Sequence, residues 1–155
     1  MNHLAPVQAR VTQHFAVPAE RVFDAWLNPA MIGQWMFGSA LREEEVVRIT
    51  VDGRVGGHFS FVVRRQGQEF DHVGEYLELE RPRRLVFTWG IRDQAQDESR
   101  VIIDIVPQGD GCELTLVHAM APQWADFVDR SQAGWAKMVG VLADQLSAMV
   151  QDAKI

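Results

Sequence analysis

Between residues 41 and 120 the chain is one strand-like run after another, and it then ends in a single long amphipathic helix. That combination restricts the fold more than any other feature. The runs lie near 45–51, 55–65, 69–79, 84–91, 98–107 and 112–119. The breaks between them, VDGR, RQGQ, ERPR, RDQAQD and PQGDG, are rich in Gly, Pro, Asp or Gln, as hairpin loops require. Loops this short dictate an antiparallel meander, because a parallel return needs a crossover of a dozen or more residues. Gly56-Gly57 has no side chains to pack and reads as a bulge or sharp bend that lets the sheet coil. The segment 122–152 reads as one helix. Trp124, Phe127, Val128, Trp135, Met138, Val139, Leu142, Leu146 and Met149 form its apolar stripe, with Pro122 in its first turn. A curled sheet and one amphipathic helix must bury their apolar faces on each other. The inner set is then Leu85, Phe87 and Trp89, with Phe59, Phe61, Val63, Val101, Ile103, Ile105, Leu114 and Leu116.

Ahead of the meander, Ala9, Val11 and Phe15 alternate with Arg10, Thr12 and His14 in a half-buried strand over 7–16. PAERVFDAWLN then opens a short helix carrying Val22, Phe23, Trp26 and Leu27 on one side. Asn28-Pro29 ends it, and PAMIGQWMF forms a second short helix stopping before Gly38. The tight stripe around Trp26 predicts a place in the core of this helix pair, whereas Trp89, near a strand end, predicts a place where the sheet splays from the helix.

Composition narrows the function classes. A chain of 155 residues suits one domain spanning 1–155. The formal charge of −6 argues against nucleic acid, since an acidic surface repels polyphosphate; Arg64–Arg65 and the RPRR run at 81–84 are local exceptions that read as solvated turns. No run of 18 apolar residues offers a membrane span. The first residues show no basic stretch followed by an apolar one, and Cys112 is the only cysteine, so a reducing cytoplasm is the expected setting. His3, His14, His58, His72 and His118 show no HxH or HExxH spacing, and there is no GxSxG or Walker loop. No metal and no cofactor is expected.

VFDAWLNPAMIGQW (22–35), DGRVGGHFSF (52–61), GEYLELERPRRLVFTW (74–89), ESRVIIDI (98–105), LTLVH (114–118) and GW (134–135) resemble the helix-grip superfamily called START-like or SRPBCC. Within it they resemble the branch named after activators of the heat-shock chaperone ATPase. The resemblance implies an α+β fold: a seven-stranded antiparallel sheet curled around a long C-terminal helix, with two short helices after the first strand. It also implies a deep apolar cavity between sheet and helix. In the superfamily such cavities bind lipids, sterols, polyketides or aromatic compounds, and a few branches cyclise or hydrolyse them. Relatives often carry a second aromatic where this chain has Met36, and an apolar residue where it has Glu75.

Polar groups aimed into an apolar cavity orient a ligand. Glu75 and His118 are the two candidates. Glu75 shares period-two register with Val73, Leu77 and Leu79, opposite His72, Tyr76 and Glu78. His118 follows Leu114 and Leu116. The expected walls are Trp35, Phe37, Phe59, Phe61, Glu75, Trp89, His118, Met120, Trp135 and Met138. The leading expectation is a cytoplasmic protein that binds a small hydrophobic or aromatic molecule. An enzyme of cyclase or hydrolase type would use the same walls, with Glu75 or His118 moving protons. A stress-response co-chaperone module with a chaperone partner is the other alternative. It ranks lower because full activators carry a further N-terminal domain with an Asn/Trp-rich motif, absent from these residues. Catalytic residues and oligomeric state are open.

Overall fold

The computed structural model describes residues 7–37, 41–92 and 99–153, with side chains to residue 149. Strand β1 (Val7–Phe15) leads into helices α1 (Ala19–Ala25) and α2 (Pro29–Trp35). Strands β2 (Glu45–Val51), β3 (His58–Arg65), β4 (Gln68–Glu80), β5 (Arg84–Ile91), β6 (Ser99–Gln108) and β7 (Gly111–Met120) follow. A 3-10 segment (Pro122–Phe127) precedes helix α3 (Val128–Ala153). The seven strands form an antiparallel sheet in the order β1-β7-β6-β5-β4-β3-β2, so the meander continues through β7 and β1 returns beside it. This is the α+β helix-grip arrangement, with two short helices after the first strand.

Local chemistry accounts for the elements. The Asn28 side chain accepts from the amides of Ala30 and Met31, with Pro29 beside it, so the residues that end α1 also start α2. Helix α3 buries Ser131, Trp135, Val139, Leu142 and Leu146, a stripe at three- and four-residue spacing, onto the inner sheet face. It is tied at its flanks by Lys137 Nζ donating to the Leu41 carbonyl (2.9 Å) and by Gln145 donating to the Gln34 carbonyl (3.2 Å). Gln132 Oε1 accepts the Arg10 amide (3.1 Å), a strand N–H on the edge that β7 leaves free. The basic RPRR turn is fully ion-paired: Arg81 with Asp24, Arg83 with Glu80, Arg84 with Glu78 and Asp104.

Two expectations about the elements need correction. The segment 122–152 is not one helix. Trp124 leaves helical geometry (φ −95°, ψ 16°), the first turn is 3-10, and Trp124 and Phe127 swing to the surface, 39% and 38% exposed. Met149, at the far end of the expected stripe, is also exposed.

The register of β4 is the second. The hairpin loop Gln66-Gly67, both residues at positive φ (52° and 78°), sets Arg65 opposite Gln68. Phe61 then faces His72, and Phe59 faces Gly74. Paired residues share a face, so Phe70, His72, Gly74 and Tyr76 point inward and Glu75 points out. Further along, a bulge between Tyr76 and Glu78 inserts Leu77 as an extra residue, and Leu79 returns to the inner face opposite Leu85. The expectation that Glu75 shares a face with Leu79 fails because it carries one period through that bulge. The Glu75 side chain is 44% exposed, with its carboxylate 3.7 Å from the exposed ring of His58. His72 and Tyr76, expected outside, are buried.

Gly74 is required where it stands. A Cβ there would overlap the Thr88 carbonyl oxygen and lie 2.5 Å from the Phe59 ring, which covers the glycine from the neighbouring strand.

Candidate functional site

The expected deep cavity is largely filled. Trp26, Phe59, Phe61, Tyr76 and Phe87 pack ring against ring, with Phe59 and Phe61 stacked 4.5 Å apart. Together with Met36 they leave a void of only about 10 Å³. The Trp26 indole N–H beside it is buried without a partner. Open volume lies instead at one end of the grip, where β4, β5 and β7 splay from the start of α3. There a cleft of about 570 Å³ opens to solvent.

One wall of the cleft is Phe37, His72 and Trp89, with the His72 ring 5.1 Å from Phe37 and 5.4 Å from Trp89. The opposite wall is Trp135 and Met138 from α3, and Trp135 meets Trp89 edge-on at 5.3 Å. Met120 and the displaced pair Trp124 and Phe127 form the lip. Of the ten expected wall residues, the cleft therefore gathers Phe37, Trp89, His118, Met120, Trp135 and Met138. It does not gather Trp35, Phe59, Phe61 or Glu75. Trp35 is locked in the helix-pair core against Trp26 (4.6 Å), its indole donating to the Ala25 carbonyl. Phe59 and Phe61 back Trp89 from behind, at 5.9 and 6.4 Å, without reaching the opening. Glu75 is on the other face of the sheet.

His118 sits at the base of the cleft, 4% exposed, inside a closed set of hydrogen bonds. The Trp135 indole can only donate, and it reaches Nδ1 at 3.0 Å, so Nδ1 is an acceptor. The proton therefore resides on Nε2, which donates to Ser99 Oγ at 2.6 Å, while Ser99 passes its own hydrogen to the Trp89 carbonyl at 2.9 Å. Ser131 Oγ lies 3.0 Å from Nδ1. Burial pushes the His118 pKa down to about 4, in keeping with a neutral ring. The Ser131–His118 contact has the spacing of a nucleophile and its base. However, the lone pair that would take the serine proton already accepts from Trp135, and so low a pKa makes a weak base at neutral pH. The set works as a polar latch joining β5, β6, β7 and α3 around the cleft.

The carboxylate that is withdrawn from water is Glu44, in the loop before β2. Its side chain is fully buried between Arg65 (Nε to Oε1, 2.7 Å) and Arg42 (3.4 Å). Arg65 also rests on the Phe70 ring (5.2 Å). Both arginines line the cleft, as does Arg130 on α3. Sequence reading missed these three, along with His72, Ser99 and Ser131. Only His72 had a signal: the two-residue hairpin fixes it opposite the inward Phe61. Cys112 is buried, donates its thiol to the Val17 carbonyl (3.4 Å) and has its pKa raised by burial. Among the described residues no three His, Cys, Asp or Glu side chains gather as a metal site, and no helix is long and apolar enough to cross a membrane.

Comparison with solved structures finds the same architecture repeatedly. Protein CV1439 from Chromobacterium violaceum is 26% identical, with a TM-score of 0.76 over 90% of this chain and 96% of that one. Protein NE0264 from Nitrosomonas europaea is 19% identical, with a TM-score of 0.79 over 97% and 99%. PFC0360w, described as an HSP90 activator from Plasmodium falciparum, is 24% identical, with a TM-score of 0.69 over 90% and 96%. The last two, at such identity, speak to the fold. A search of curated proteins returns no match. The model of the family described as "Activator of Hsp90 ATPase homolog 1-like protein" matches residues 16–149, from the end of β1 through nearly all of α3. Sheet, gripping helix and sequence agree, and the chain belongs to that family, a helix-grip branch of ligand-binding or co-chaperone-like modules.

Proposed function

We propose that the protein binds a small, largely apolar or aromatic molecule in the cleft between β4, β5, β7 and the start of α3. The observation that carries this reading is the aromatic-walled opening of about 570 Å³. That volume lies within the range of small-molecule sites, and its walls are mostly apolar, with a few fixed polar groups. Apolar burial would supply the affinity, about 25 cal/mol per Å² before association costs. The exposed Trp124 and Phe127 at the lip support it too, since large apolar side chains at a concave mouth gain by being covered. The His118 latch favours binding over catalysis, because its acceptor nitrogen is already occupied.

Displacement of an apolar dye, followed together with tryptophan emission, tests this. Saturable displacement is expected, with an emission change that Trp89→Phe reduces and Trp26→Phe leaves in place. Absence of any saturable site would end this reading. A co-chaperone-like role is the second reading, supported by the family match. It requires that the protein raise the ATPase rate of the Hsp90 chaperone. No change in that rate and no retention of the chaperone in a pull-down would remove it.

A further inference from the structure

The charged residues lining the cleft are Arg42, Arg65 and Arg130, and among the described residues no carboxylate lines it. This is the reverse of the chain as a whole, which carries 21 acidic residues against 15 basic ones. Arg42 and Arg65 share the single buried carboxylate of Glu44, so two cations are mounted on one anion. In that mount Arg65 uses Nε and Arg42 uses Nη1, leaving further N–H donors on each guanidinium. Arg130 is exposed at the lip and rests on the Phe127 ring (5.7 Å), without a carboxylate partner among the described residues, whereas the arginines of the RPRR turn each meet one elsewhere in the fold. The His118 set, by contrast, is closed on itself and has little left to offer a ligand.

We infer that the ligand is amphipathic and anionic: an apolar chain or ring lying against Trp89, Trp135 and Met138, with a carboxylate met by the arginine rim. This rests on the cleft being a ligand site, and it adds which end of the ligand is recognised and by what. A carboxylate fits the planar donor fork of arginine. An amine or quaternary ammonium would meet net positive charge.

Calorimetric titration with decanoate and decyltrimethylammonium below their critical micelle concentrations, and with decanol below its solubility limit, separates the possibilities. Decanoate is expected to bind about tenfold more tightly than decanol, with the ammonium weakest. Added salt should narrow the gap by weakening decanoate alone. Arg130→Gln and Arg42→Gln should each lower the ratio of decanoate to decanol affinity. Arg65 is kept, because removing it strands the Glu44 carboxylate. Equal affinity for decanoate and decanol, or a preference that neither variant moves, overturns the inference and leaves the cleft reading standing. No saturable binding of any of the three overturns both.

Discussion

Acidification from about pH 7.5 to about pH 5 should destabilise this protein through His118, by an amount the structure sets. In the folded chain the ring is buried, accepts from Trp135 and donates to Ser99, and its pKa falls from 6.5 to about 4. Unfolded, it titrates near the ordinary value. Well above pH 6.5 the ring is neutral in both states and the contribution is complete. Between 6.5 and 4 the unfolded chain binds a proton that the folded chain refuses, so stability falls as pH falls. At about 1.4 kcal/mol per pKa unit the full loss is roughly 3 kcal/mol, of which about 2 kcal/mol has gone by pH 5. For a chain of this size that is about 4–8 °C in the thermal midpoint. Burial lowers the pKa of His72 as well, adding a slope of the same sign. The assay is urea unfolding at half-unit pH steps, with wild type compared with His118→Gln. The variant loses stability at every pH because the latch is cut, but its curve should be flatter between pH 6.5 and 5. Parallel curves would refute the reasoning. So would an NMR spectrum placing the neutral-ring proton on Nδ1, since the Trp135 contact would then be impossible.

Gly74→Ala should lower stability by about 1–3 kcal/mol, because its methyl group meets the Phe59 ring and the Thr88 carbonyl; an unchanged urea midpoint would show that the sheet opens there without cost. Glu75→Gln should change stability by no more than about 0.5 kcal/mol and leave ligand binding as it was, since the carboxylate is on the outer face. A larger effect on either, read by urea unfolding and dye titration, would contradict the β4 register.

The order of elements was legible because every break in the meander carries turn chemistry and the last segment has helical spacing. The faces of β1, β3, β5, β6 and β7 were legible from alternation alone. Strand β4 was not, and the reason is specific. Its outward side carries Val73 and Leu77 while its inward side carries His72 and Gly74, so hydropathy points the wrong way. Hairpin geometry could have corrected this, since a two-residue loop at Gln66-Gly67 ties His72 to Phe61. The extra residue at Leu77 has no comparable signature. The break at Trp124 also left no mark, because 3-10 and α-helical turns share nearly the same spacing of apolar residues. Burial of Glu44 depends on a loop laying it, beside Arg42 two residues away, against Arg65 twenty-one residues along the chain, and no local pattern encodes that second contact. As a result, the aromatic walls of the cleft were partly anticipated and its charge was not.

An open sheet has two outer strands, and each is a template on which another chain could extend it. Here the Arg10 amide on the edge of β1, already given to Gln132 of α3, is not available to an incoming strand. On the far side β2 is short, bulged between Val46 and Arg48, and bears Glu45 and Arg48 exposed. An arriving backbone would have to displace a helix contact at one end, or accommodate a kink and strip water from charges at the other. The grip that shapes the cleft thus also guards the protein against lateral growth into larger β-assemblies.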